Sequence, residues 1–236
     1  MHRFVSLFFL LIAMSLHAAP PRVLAWDEEI ASKKLALVSS TAQLEITGMH
    51  PSKRTFALRL KGAGPYFVRV IDQAPAADGK PIQIQVPLTD EMKHPLILLM
   101  PDAKHPTGIR PLVINDDVKG FAWGSYRFLN ATPKDIVVQM EQKAVKVPAG
   151  WKAVDLNLGG ETRGIGARVA LAESIEKVLY SAVWEYDANA RTLCIIVPGT
   201  DPRLGPIAFK AVPEDKIGYE LDTKEEKKAN GAVAVP

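Results

Sequence analysis

The 236-residue chain carries 29 Lys and Arg against 26 Asp and Glu, a formal net charge of +3. So nearly neutral a balance argues against a nucleic-acid binder, whose footprint is a clustered basic stripe. Cys194 is the only cysteine, which excludes an intramolecular disulfide and a cysteine-based zinc site, so core burial must hold the fold.

In chain order, the first segment reads as an export signal. Met1 to Arg3 form a short positive region, Phe4 to Leu16 an apolar run, and Ala18-Ala19 a small-residue cleavage site ahead of Pro20-Pro21. The apolar run is shorter than the roughly 20 residues a spanning helix needs. The expectation is a signal peptide over residues 1–18 and a mature chain without a membrane span, periplasmic or secreted. Asp27 to Leu35 follows as a short helix or turn, with acidic residues early and lysines late, as the helix dipole favours.

From there the pattern is short strands punctuated by Pro, Gly, Asn and Asp. Thr55 to Leu60 alternates, Gly62-Ala63-Gly64-Pro65 turns, and Tyr66 to Ile71 continues, which reads as a hairpin. Pro81 to Val86 alternates at period two, placing Ile82, Ile84 and Val86 on one face. Leu96 to Met100 is apolar throughout, as suits a strand covered on both sides. Ser125 to Leu129, Ile136 to Met140, Ala144 to Val147 and Trp151 to Leu158 read as further strands. Ala170 to Leu179 fits a helix, and Leu171 to Tyr186 fits equally a strand pair about Glu173 to Lys177. Val178 to Tyr186 and Arg191 to Val197 flank Asp187 to Ala190 as a second hairpin. Beyond Asp215 the sequence is rich in Lys and Glu and poor in large apolar residues, so residues 217–236 are expected to form a disordered tail.

Strands at this spacing define an all-β chain, an antiparallel β-sandwich. The run Pro95 to Asp102 resembles Thr192 to Gly199, about 97 residues later, and each is followed by similarly placed Pro and Gly. Two tandem immunoglobulin-like domains over residues 22–118 and 119–216 are the working division. The alternative is that Pro and Gly merely punctuate unrelated strands.

Tyr126 to Val138, with Arg127, Asn130-Ala131-Thr132-Pro133 and a Val-rich second strand, resembles the opening of a β-sandwich domain of unknown function found in bacterial envelope proteins. Pro148-Ala149-Gly150 matches a later turn of that domain, and the whole chain resembles exported proteins of Gram-negative bacteria. The resemblance implies an envelope location. In physical terms Asn130 and Thr132 are turn formers, and Asn130-Ala131-Thr132 also fits the glycosylation acceptor pattern.

Catalytic and cofactor motifs are missing. Asp90, Glu91, His94, Asp102 and His105 crowd one region without zinc-site spacing. Gly159 to Gly166 lacks the Lys and Ser/Thr of a phosphate loop, and no serine sits in a nucleophile elbow. The expectation is no catalytic, cofactor or metal residue. Ligand contact falls to the aromatics Trp123, Tyr126, Trp151, Trp184 and Tyr186, which serve either a core or a stacking platform. The leading reading is a non-enzymatic component of the periplasm or envelope with a structural or protein-binding role, its partner an envelope protein. A carbohydrate-binding module for an envelope polysaccharide is the alternative. A hydrolase built on Asp116, Asp117, Asp201 and Glu214 is a third class.

Overall fold

A computed structural model describes residues 19–89 and 92–232; the expected signal segment, Asp90, Glu91 and residues 233–236 lie outside it. The chain is all-β, and its strands pack as sandwiches. The first half holds β1 (Arg22–Ala25), a single-turn helix α1 (Glu28–Ala31), β2 (Leu35–Val38), β3 (Gln43–Glu45), β4 (Tyr66–Val70), β5 (Gln83–Val86), β6 (Pro95–Pro101) and β7 (Ile109–Asn115). The second half holds β8 (Ser125–Asn130), β9 (Ile136–Met140), β10 (Lys143–Val147), β11 (Val154–Asn157), β12 (Arg163–Leu171), β13 (Ser174–Tyr186), β14 (Ala190–Pro198) and β15 (Ile207–Asp215). A final helix, α2, spans Lys216–Ala232.

Each half makes two sheets around its own core. The first pairs β3-β2-β4-β5 with β1-β6-β7, and the second pairs β10-β9-β12-β13 with β11-β8-β14-β15. Ile97 and Leu99 of β6 point into the first core with Val68, Val70 and Ile84, and Cys194 and Ile196 of β14 point into the second with Val138 and Val169. Pairing is antiparallel throughout the described residues except for β1 with β6 and β8 with β14.

The two halves repeat strand for strand. β1-β6-β7 matches β8-β14-β15, including the parallel pair, and β3-β2-β4-β5 matches β10-β9-β12-β13. Even β11 has a counterpart: residues 55–58 run beside β1, with the Thr55 N–H donating to Val23 O at 2.9 Å and the Leu58 N–H to Pro21 O at 2.8 Å. The sequence similarity of β6 and β14 therefore coincides with equivalent places in the two sandwiches.

That similarity has a packing cause. A strand in a two-sided sheet buries alternate residues on opposite faces. While Ile97 and Leu99 face their own core, Leu96, Leu98 and Met100 face the other way, and so do Leu193 and Ile195 of β14. With Leu24, Ile114, Leu129 and Val212 they form a third apolar core, where the sheets β1-β6-β7 and β11-β8-β14-β15 pack back to back. The molecule is thus four sheets deep. Leu96 to Leu99 are fully buried, as the uninterrupted apolar run of the sequence requires.

Several expectations need correcting. Thr55 to Leu60 does not form a hairpin with β4; β4 lies between β2 and β5, and the Gly62–Pro65 connection crosses from one sheet to the other. Asp187 to Ala190 likewise joins β13 to β14 in different sheets, because the inner residues of both strands face one core from opposite sides. Ala170 to Leu179 is strand, turning at Ala172-Glu173, with a bulge between Val169 and Leu171. The Trp151 to Leu158 strand is shorter than expected, beginning at Val154. Residues 217–232, expected to be disordered, continue α2, which starts where the Gly218 N–H donates to Asp215 Oδ1 at 2.7 Å. Composition alone overlooks its contacts with residues far away in the chain.

Candidate functional site

The segment that resembles the envelope domain is built for structure. The Asn130 side chain is fully buried and donates through Nδ2 to Lys134 O at 2.8 Å and Val147 O at 3.1 Å. Its Oδ1 accepts from the Thr132 N–H at 2.9 Å and the Thr132 hydroxyl at 2.7 Å. The turn chemistry read from the sequence is present, and burial removes Asn130 from any glycosylating enzyme.

The five aromatics do not form one platform. Tyr126 and Tyr186 are core residues, and Trp184 packs onto that core, its indole N–H donating to the Tyr180 hydroxyl at 2.9 Å. Trp151 sits at the edge of the interdomain core, edge-on to Trp26 at 6.2 Å. Trp123 lies elsewhere, against Tyr219 of α2 at 5.6 Å.

Trp123 marks the most polar part of the interior. Where β7 leaves the first sandwich, Asp116 turns inward and meets arginines from both halves. Arg54 grips it through two bonds, Nε to Oδ2 at 2.7 Å and Nη2 to Oδ1 at 3.2 Å. From β14, Arg191 donates to Asp116 Oδ2 at 3.2 Å and to the backbone oxygens of Asp116 and Phe121 at 2.8 and 3.3 Å. Its Nε also donates to Glu214 Oε2 of β15 at 2.6 Å. Glu214 then takes Arg22 of β1 at 3.3 Å. Arg191 is 1% exposed and Arg54 2%. Burial, the largest influence on Arg54, works against its charge, but Asp116 and Glu214 outweigh it and hold its pKa above the usual value. Phe121, Trp123 and Tyr219 surround the Arg191 guanidinium at 5.1 to 5.6 Å, adding ring faces to the carboxylates.

A cleft of about 250 Å³ opens onto this cluster. Its inner wall is Arg22, Asp116 and Arg191, and α2 closes one side with Tyr219 and Glu226. Glu226 accepts from Arg22 at 3.2 Å and from the Ala57 N–H at 3.0 Å. Arg59, Lys93 and His94 stand exposed at the mouth. His94 lies 3.9 Å from Asp117, whereas Arg59 and Lys93 have no carboxylate partner among the described residues. Among the described residues the cleft therefore presents exposed positive charge at its rim over a neutralised floor.

The acids weighed for hydrolysis end in different places. Asp116 and Glu214, 98 positions apart in the chain, converge, but each is engaged by two or more arginines. Asp201 pairs with Arg203 at 2.7 Å on the surface, which with two N–H donors holds its carboxyl below the usual range. No group of three His, Cys, Asp or Glu capable of holding a metal occurs among the described residues. Asp90 and Glu91 fall outside them. No helix of the described residues is long and apolar enough to cross a membrane.

The ion cluster escaped the sequence reading because its members are scattered from Arg22 to Glu226. Besides Asp116 and Glu214, already named among the acids, the available signal was a lone arginine, Arg191, in an otherwise apolar strand. Fold and cleft together describe an all-β, sandwich-like protein with a cation-rimmed cleft. No protein-family model and no curated protein matches the chain.

Proposed function

We propose that this is an exported, non-enzymatic protein of the periplasm or cell envelope that binds a protein partner through the interdomain cleft. The observation that carries the reading is the pair Arg59 and Lys93, exposed and without a carboxylate partner among the described residues, at the mouth of a cleft whose inner arginines are all paired. Charged groups placed so steer and select an oppositely charged partner. The rigid setting supports it, because two sandwiches joined by a shared core offer a preorganised site. An envelope location rests on the signal-like residues 1–18 and on the resemblance of Tyr126 to Val138 to an envelope domain.

Titration of the full chain with poly-glutamate and with a panel of neutral glycans, followed by calorimetry, tests the binding role. Saturable poly-glutamate binding that is lost in Arg59→Glu/Lys93→Glu supports it. Binding confined to a glycan, unchanged in that variant, refutes it in favour of carbohydrate recognition. Export is checked separately by fractionation and N-terminal sequencing, with Ala19 as the expected first residue.

A further inference from the structure

Resting on the cleft as the binding site, we propose that α2 is its built-in occupant, and that the partner is an acidic helical segment that takes the place of α2. The charge count inside the cleft gives the reason. Arg22, Arg54 and Arg191 bring three positive charges, and Asp116 and Glu214 return two. Glu226, the third carboxylate, comes from α2. It sits on a guanidinium and on a backbone N–H that faces out from residues 55–58, a donor pair suited to any carboxylate. Lifting α2 away would leave Arg22 and the Ala57 N–H open beside Arg59 and Lys93. A ligand with a carboxylate on a helix then satisfies the same donors, and further acidic side chains reach the rim.

The way α2 is held makes exchange feasible. A helix docked by an apolar stripe buries that stripe, yet Ile217 and Leu221 of α2 are 70% and 54% exposed. Among the described residues its attachments include the Lys216 N–H to Asn189 O at 2.9 Å, the Tyr219 ring against Trp123, Arg22 and Arg191, the Glu226 carboxylate, and a 3.7 Å pair of Asp222 with the exposed Lys53. These are few contacts for a 17-residue helix, which is only slightly longer than the roughly 12–15 residues below which an isolated helix is marginal in water. The occupied site lowers the apparent affinity for a partner by the fraction of molecules in which α2 is lifted.

The probe is a synthetic peptide of residues 216–232, added to full-length wild type, Glu226→Gln and Tyr219→Ala, with melting temperatures checked for folding. The peptide is expected to bind both variants at least 10-fold tighter than wild type. The same peptide with its own Glu226 changed to Gln is expected to bind none of them. Trp123 emission reports whether the resident helix has left, with Trp123→Phe as the blank. Equal affinity for wild type and both variants, with poly-glutamate still bound at the rim, overturns the strap while leaving the cleft reading standing. Absence of binding by either probe to any variant overturns both.

Discussion

Arg191 of β14 donates to the Asp116 carboxylate across 3.2 Å, and this bond ties the second sandwich to the residue that follows the last strand of the first. Both side chains are nearly excluded from water, at 1% and 5% exposure. Removing one partner of a buried pair strands the other charge, which costs about 3–5 kcal/mol. Asp116→Asn is therefore expected to lower the unfolding free energy by about that much in urea titrations. Lys53→Ala, which breaks an exposed pair with Asp222, is expected to cost under about 1 kcal/mol.

The apolar core between the sandwiches predicts how the chain melts. Leu98 and Ile195 are fully buried there, one from each half. Leu98→Ala is expected to destabilise by about 2–5 kcal/mol, since the cavity is lined on both sides. Calorimetry of the native chain is expected to show one cooperative transition, and Ile195→Asp to split it in two. Two transitions in the native chain would mean that the shared core does not couple the halves.

Tyr126 gives stability an alkaline limit. Burial, helped by nearby Cys194, Tyr186, Asp187 and Glu185, raises its pKa to about 12 from 10.0. Its hydroxyl also donates to Glu185 O at 3.0 Å. The folded pKa lies above the unfolded one, so the neutral phenol's contribution is complete below pH 10 and is lost as pH rises towards 12. Chemical denaturation between pH 9 and pH 12 is expected to show this fall, flattened in Tyr126→Phe.

Cys194 is expected to be inert. It is fully buried in β14, and burial pushes its thiol well above the usual range. A thiol reagent at pH 8 is expected to leave the native protein unmodified and to label one thiol per chain in denaturant. Rapid labelling of the native chain would show that the second core opens.

How much was legible follows from the range of the forces involved. Ile82, Ile84 and Val86 share a face because alternation belongs to the extended backbone itself, and the first core takes all three. The run Leu96 to Met100 announced a doubly covered strand for the same local reason. Strand partners were less visible. Thr55 to Leu60 and Asp187 to Ala190 carry sound strand and turn signals, but the chain passes between sheets at both, and no local pattern distinguishes a turn within a sheet from a turn across a sandwich. The five aromatics show a similar limit, since a ring near other rings in sequence reads alike whether it fills a core or faces water.

By itself, then, the sequence determined a β architecture, the two faces of its strands, the near-neutral charge and the similarity of β6 to β14. Each is a property of neighbours along the chain or of its composition. Only the tertiary structure decided that those two strands lie back to back, and that Arg54, Asp116, Arg191 and Glu214 form one buried cluster. It also decided that residues 217–232 are helical, because Tyr219 and Glu226 find a partner at Arg22, in the first strand of the chain. Charges so far apart in the chain meet only when hydrophobic burial has already assembled the sheets, and in that low-dielectric setting their pairing selects one arrangement.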